Sequence, residues 1–175
     1  MAVKKTSAPL KTYPDLGKWL TYAEAVKSQT AVRKGLDNTP TGAEYANMKH
    51  VYETIYAPAC ERFGKLSVSS FFRSEAVNKA VGGSRTSAHC EGLAIDIDCD
   101  GIPAVTNAGF FLWVVETLKF DQAIYEFPDA NGNPAWIHVG DRITSPRRMQ
   151  ALTAVRTKAG VAYRQFKHIS PGKKS

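Results

Sequence analysis

Apolar residues recur at helical spacing in the first third of the chain and alternate with polar ones further on. Trp19, Leu20, Ala23 and Val26 fall near a 3.6-residue period and predict a helix over 15–31. Leu36-Asp37-Asn38-Thr39-Pro40-Thr41-Gly42 is a turn cluster. Thr41, followed three residues later by Glu44, is an N-cap signal. It opens a long amphipathic helix over 43–63 whose buried stripe is Tyr45, Met48, Tyr52 and Ile55. Pro58 should bend or interrupt that helix, and Gly64 should end it.

Residues 65–72 read as a strand leading to Arg73, and Ser74 caps a short helix to about Val81. Gly82-Gly83-Ser84 breaks it and allows a sharp turn. Residues 93–98 alternate with period two and predict a strand. A second amphipathic helix is expected over 107–118, and strands over 122–127 and 136–139. Asn131-Gly132-Asn133 is a hairpin signal in the loop between them. Residues 149–166 read as a hairpin turning near Lys158-Ala159-Gly160, with a helix over the first half as the alternative. Long helices followed by short strands predict one α+β domain over 13–166, with a mostly antiparallel central sheet flanked by helices. Residues 1–12 are expected to be a flexible tail and 167–175 a basic one.

Composition narrows the class. With 43% apolar and 22% charged residues, the 175-residue chain has the make-up of a soluble globular domain. No stretch approaches the roughly 18 apolar residues of a membrane span, so no membrane insertion is expected. No apolar segment follows the basic start Met1–Ser7, so the expectation is synthesis in the cytoplasm without a signal peptide. Cys60, Cys90 and Cys99 are expected to be reduced thiols. Cys90 receives a packing role, because neighbouring side chains on an extended chain point opposite ways. A net charge of +7 suits an acidic partner (nucleic acid, anionic membrane or bacterial cell wall), with a solvated basic surface as the equal alternative. No helix-turn-helix, zinc finger or aromatic-basic motif supports specific nucleic-acid binding. A monomer is expected.

Candidate chemistry gathers around two of the four histidines. His89 lies in Ser87-Ala88-His89-Cys90-Glu91-Gly92-Leu93-Ala94-Ile95-Asp96. Asp96 is an acid inside an apolar strand, and a carboxylate near a core needs a cation or several hydrogen bonds. His138 sits likewise in Trp136-Ile137-His138-Val139. Two neutral imidazoles and one carboxylate match a zinc site with an open position for water, which zinc acidifies toward a pKa of about 7. Hydrogen-bonded core histidines with a capping aspartate explain the same residues equally well on chemistry alone.

Arg73-Ser74, Asn78 to Ser84, Ser87-Ala88-His89, Gly92 to Asp96 and Trp136 to Val139 together resemble the zinc D-alanyl-D-alanine carboxypeptidase family. That family includes vancomycin-resistance dipeptidases and phage-encoded peptidoglycan endopeptidases, and shares its fold with the Hedgehog signalling domain. Leu36 to Pro40 and Arg62-Phe63-Gly64 extend the resemblance to roughly residues 16–140. It is strongest to a branch found in phages and prophages. The resemblance implies that His89, Asp96 and His138 hold zinc. Arg73 would steady the substrate carbonyl oxygen as it becomes an oxyanion; a surface ion pair is the alternative. Ser87 would contact substrate or orient a ligand. Many members carry an acid three residues before the last histidine, where this chain has Ala135. The phage-type branch instead has an acid in the preceding strand, here Glu126, which becomes the expected general base. Asp129 and Asp141 are weaker candidates.

The implied activity is hydrolysis of a D-amino-acid-containing bond in bacterial cell-wall peptide, by an endolysin acting after holin-type release or as part of a virion. A non-catalytic zinc-containing binding or virion module is the alternative, kept open by Ala135. Asp96-Ile97-Asp98-Cys99-Asp100-Gly101 also mimics the start of an EF-hand loop, but its twelfth position is Asn107 rather than Glu. Only a looser calcium site at Asp98 and Asp100 remains from that reading.

Overall fold

The computed structural model describes residues 12–143 and 146–167. The expected tails therefore lie almost wholly outside the described residues. No helix among those described is long and apolar enough to cross a membrane.

The predicted first helix is two short ones, α1 (Tyr22–Ala25) and α2 (Gln29–Lys34). Each has its own cap: Thr21 and Glu24 form a capping box, and the Ser28 side chain accepts from the Ala31 N–H. Ser28 is the signal that divides the segment. Thr41 and Glu44 form the second capping box, as their spacing predicts, and start α3 (Gly42–Val51). A π-helical turn over Tyr52–Tyr56 and then α4 (Ala57–Phe63) continue the same rod. Proline lacks an N–H, and its ring collides with the carbonyl four residues back. The widened turn lies immediately before Pro58 and overlaps Thr54, where that collision would fall. The helix is locally unwound rather than broken.

Six strands form one sheet: β1 (Ser67–Ser70), β2 (Ala94–Asp98), β3 (Gln122–Glu126), β4 (Trp136–Gly140), β5 (Gln150–Thr157) and β6 (Gly160–Gln165). Their order is β1-β2-β4-β3-β5-β6. All pairings are antiparallel except β3 with β5, so the sheet is mixed. The expectation of antiparallel neighbours fails there because β5 follows β4 in sequence but pairs on the far side of β3. It therefore runs in the same direction as β3. Residues 150–165 do form the hairpin rather than a helix. Two further helices, α5 (Glu75–Ala80, capped by Ser74) and α6 (Asn107–Thr117), match their expected spans.

Alternation divides the sheet into two faces. Ile95 and Ile97 of β2, Ile137 and Val139 of β4 and Ala123 of β3 join the main core, together with Met48, Val51, Ile55 and Tyr56 of the long rod and Phe110, Phe111 and Val114 of α6. The intervening residues take the other face. Phe111 packs against Tyr125 and Phe166, at centroid distances of 5.2 and 4.6 Å, which ties the end of the last hairpin to α6.

The segment between α5 and β2 contains a 3-10 turn, Ala88–Glu91, where an extended loop was expected. Gly92 ends it in the left-handed region, at φ 70°. A Cβ there would lie 2.5 Å from the Glu44 carbonyl oxygen and 2.8 Å from Met48 Cγ. Gly92→Ala is therefore expected to cost about 1–3 kcal/mol through backbone strain and the clash with α3. Thermal unfolding would read this as a fall of roughly 2–12 °C in Tm.

Candidate metal centre

Register brings the key side chains together. Asp96 pairs with His138, His138 with Ile124, and Ile124 with Leu152, in one row across the face opposite the main core. The 3-10 turn adds His89 to that row. His89 Nδ1–H donates to the Phe71 carbonyl at 2.6 Å, which leaves Nε2 as a lone-pair donor. That Nε2 lies 3.2 Å from Asp96 Oδ1 and 3.2 Å from His138 Nδ1, and the latter two atoms are 2.9 Å apart.

Three atoms that can each offer a lone pair lie at the spacing of metal ligands. A proton can join two of them; a metal joins all three. The edges of a tetrahedron of nitrogen and oxygen ligands around zinc are roughly 3.3 Å long, close to these separations. Burial drives the His89 pKa down, toward the neutral imidazole that a metal ligand needs. Burial works against the Asp96 carboxylate, but the two imidazoles more than offset it and hold the acid below its usual range. Among the described residues, these are the only three metal-ligating side chains that converge so closely.

The triad opens into a cleft of about 660 Å³, lined also by Arg73, Ser87, Glu126, Trp136, Arg148 and Tyr163. Period two places Glu126 on the same face as Ile124, two residues along β3 and diagonal to His138. Glu126 is only 7% exposed, and burial pushes its pKa up to about 7. Phe127 follows at φ 47°, an unusual conformation for a bulky residue. Its N–H donates to the Ala154 carbonyl and its ring packs edge-on to Trp136, so β3 ends abruptly just past Glu126.

Arg73 reaches the triad from the other side, with Nη2 3.8 Å from Asp96 Oδ2. That is longer than a hydrogen bond, and its buried Nε has no hydrogen-bond partner among the described residues. The guanidinium is thus held in the cleft with donors to spare, rather than spent in the surface ion pair considered above. Asn38 fixes the backbone on both sides of it. Its amide donates to the Phe72 carbonyl at 3.2 Å and its Oδ1 accepts the Ser74 N–H at 2.7 Å. This gives the turn cluster at 36–42 a role in positioning Arg73 that its composition did not reveal. In the turn after α5, a Cβ on Gly83 would meet Asn78 Oδ1 at 2.1 Å, and the Asn78 amide donates to the Ser84 carbonyl at 2.8 Å.

The weaker base candidates lie elsewhere. Asp141 is buried among Arg147, His50 and Thr54, and its carboxylate is held below the usual range because those hydrogen bonds outweigh its burial. Asp129 accepts from the backbone of Asn131 and Asn133 and lines a different cavity, of about 420 Å³. Asp98 and Asp100 are both engaged by the Asn107 amide and form no metal cluster among the described residues. Cys60, Cys90 and Cys99 are free thiols, and burial raises the pKa of each. Cys90 does not line the triad's cleft.

Sequence reasoning missed Arg148, Gln150 and Tyr163. They enter the cleft only because β5 pairs with β3, and no local pattern signals that.

No curated protein matches the chain at a significant level. A family model described as Peptidase M15 matches residues 18–139, well over half of the chain, and that span carries Arg73, Ser87, His89, Asp96, Glu126 and His138. It is a family of zinc-dependent peptidases, which accords with the His-Asp-His cluster, and this chain belongs to it.

Proposed function

We propose that the protein hydrolyses a peptide bond in the stem peptide of bacterial peptidoglycan, next to a D-amino acid, with zinc held by His89 Nε2, Asp96 Oδ1 and His138 Nδ1. The observation that carries this reading is the convergence of those three atoms at 2.9–3.2 Å beside a buried Glu126 in one cleft. A zinc ion there supplies an acidified water and a Lewis acid for the peptide carbonyl. Glu126 accepts the proton lost by the attacking water and delivers it to the leaving nitrogen as the C–N bond breaks. Arg73, on the cleft wall, faces the carbonyl oxygen as it turns negative, and its terminal guanidinium nitrogens offer the donors. Ser87, on the cleft wall, contacts the substrate.

The net charge of +7 suits an acidic wall. The resemblance of the 73–96 and 136–139 motifs to the phage branch, and through it to the Hedgehog fold, supports a phage-type lysin, meeting the wall after holin release or as part of a virion. The non-catalytic reading rested on Ala135. An acid in the cleft from the neighbouring strand removes most of its ground.

Digestion of purified peptidoglycan, with muropeptides analysed by mass spectrometry and zinc measured on the same sample, tests the assignment. New peptide termini are expected from zinc-loaded protein and none after His89→Ala. Intact muropeptides from fully zinc-loaded protein would overturn it.

A further inference from the structure

We propose that Arg148, with Gln150 beside it, recognises a carboxylate on the substrate residue next to the scissile bond. Both residues lie outside the span that matches the family model, yet both line the cleft. The proposal rests on the peptidase reading and adds a substrate class to it.

The sheet places them at a defined distance from the chemistry. His138, Ile124 and Leu152 form the central row; Glu126 and Ala154 lie two residues to one side, and Gln122 and Gln150 two residues to the other. Two residues of strand span about 7 Å; a carboxylate on the residue adjoining the scissile bond lies about one residue's length, roughly 3.5 Å, from the carbonyl carbon, and the long arginine side chain covers the rest. The general base and the Arg148–Gln150 end thus flank the triad from opposite sides.

Arg148 is prepared for an anion. Its backbone N–H and Nε donate to Asp121 Oδ1 and Oδ2, both at 2.9 Å, and Nη2 donates to Oδ2 at 2.5 Å. The same carboxylate also pairs with Arg142, whose Nε lies 2.7 Å from Oδ1. One buried acid therefore orients two arginines and neutralises one charge, leaving a fixed surplus cation. Asp121 uses two of the guanidinium's five N–H donors; the side chain is half exposed and lines the cleft, with three donors not used by Asp121. Gln122 and Gln150 pair through their amides at 2.7 Å. Whichever way those amides are turned, one NH₂ group remains without a partner among the described residues. A planar guanidinium beside a spare amide donor is complementary to a carboxylate. Among the described residues, Asp121 is the one acid bound to Arg148, and the acids that line the cleft, Asp96 and Glu126, lie toward the triad and its far side.

Two sources could present that carboxylate: the substrate's chain terminus, or a side group within the chain. The probe is the synthetic pentapeptide L-Ala-γ-D-Glu-L-Lys-D-Ala-D-Ala in three forms: both carboxylates free, the terminal one amidated, or the glutamyl one amidated. Calorimetry reads binding to zinc-loaded Glu126→Gln protein, and kinetics read kcat and KM with the wild type. One of the two amidations is expected to raise Kd and KM by about 10- to 100-fold, with kcat changed less than about threefold. The other is expected to be silent, which identifies the source. Arg148→Gln should bring the free acid down to the level of that amide and abolish the difference, and Arg148→Lys should restore part of it. Gln150→Ala, which leaves the Asp121 pair intact, should show a smaller loss of the same kind. Equal weakening of acid and both amides by Arg148→Gln overturns the proposal, as does indifference of the wild type to both amidations. Should Arg148→Gln fail to fold, full affinity in a folded Gln150→Ala overturns it. If the wild type binds acid over amide but cleaves none of the peptides, the peptidase reading falls and the recognition site stands.

Discussion

Asp96→Ala is expected to strip the protein of zinc and abolish hydrolysis, with a loss of roughly 10⁴-fold or more, since unassisted water has a pKa near 15.7 against about 7 on catalytic zinc. Asp96 Oδ1 is the atom shared by both imidazole contacts, at 3.2 and 2.9 Å. Without it, two neutral nitrogens remain, and two ligands hold zinc far more weakly than three. The variant also has a readout independent of turnover. A ligand that binds only the folded state stabilises it by about 2.7 kcal/mol at 100 times its Kd and about 4.1 at 1,000 times. For a chain of this length, that corresponds to roughly 5–15 °C in Tm. A chelator should therefore lower the Tm of zinc-loaded wild type by that amount and leave Asp96→Ala unmoved. An equal fall in both proteins would place the stabilising metal elsewhere, and full activity in zinc-free variant protein would sink the triad.

Two members of the triad were legible in the sequence because each breaks a local pattern. Asp96 interrupts Ile95 and Ile97, and His138 interrupts Ile137 and Val139; in a strand whose other face is buried, period two sends both interruptions to one side. Glu126 depended on the resemblance to the phage-type branch, which places an acid in the strand before the last histidine. His89 depended on the Ser-x-His motif, since a 3-10 turn has no alternation to read. What stayed hidden was set by pairing between segments distant in sequence. Nothing local in 148–165 says that β5 crosses β4 to lie parallel to β3, so Arg148, Gln150 and Tyr163 could not be placed in the cleft. Nor does the composition of 36–42 reveal that Asn38 bonds both to Phe72 and to Ser74 around Arg73. The caps at Thr41 and Ser74 were read, because each follows a clear break in the apolar pattern; those at Thr21 and Ser28 were not, because they lie inside a segment read as one helix.

Glu126→Gln is expected to reduce kcat by about 10²–10⁴-fold while zinc content and KM stay near wild type, because the amide keeps the size of the side chain and loses only its capacity to take a proton. The base works as the carboxylate, so kcat/KM should rise with pH through the ionisation of Glu126. Burial pushes that pKa up to about 7 in the protein without metal, and a dication in the neighbouring triad pulls it down. The acid limb of the loaded enzyme should therefore fall at or below about 7. The metal-stripped protein provides a check with the opposite sign. There Glu126 has a folded pKa of about 7 against an ordinary value of 4.5. Between those values the folded state binds more protons than the unfolded one, so stability falls as pH rises through the window and stays lowered above it. Glu126→Gln removes that term. The stripped variant should match stripped wild type below pH 4 or so and exceed it at pH 8 in denaturant midpoint. A variant no more stable than wild type at pH 8 would mean that Glu126 is solvated and unstrained, and a base so placed would have lost the reason for its elevated pKa.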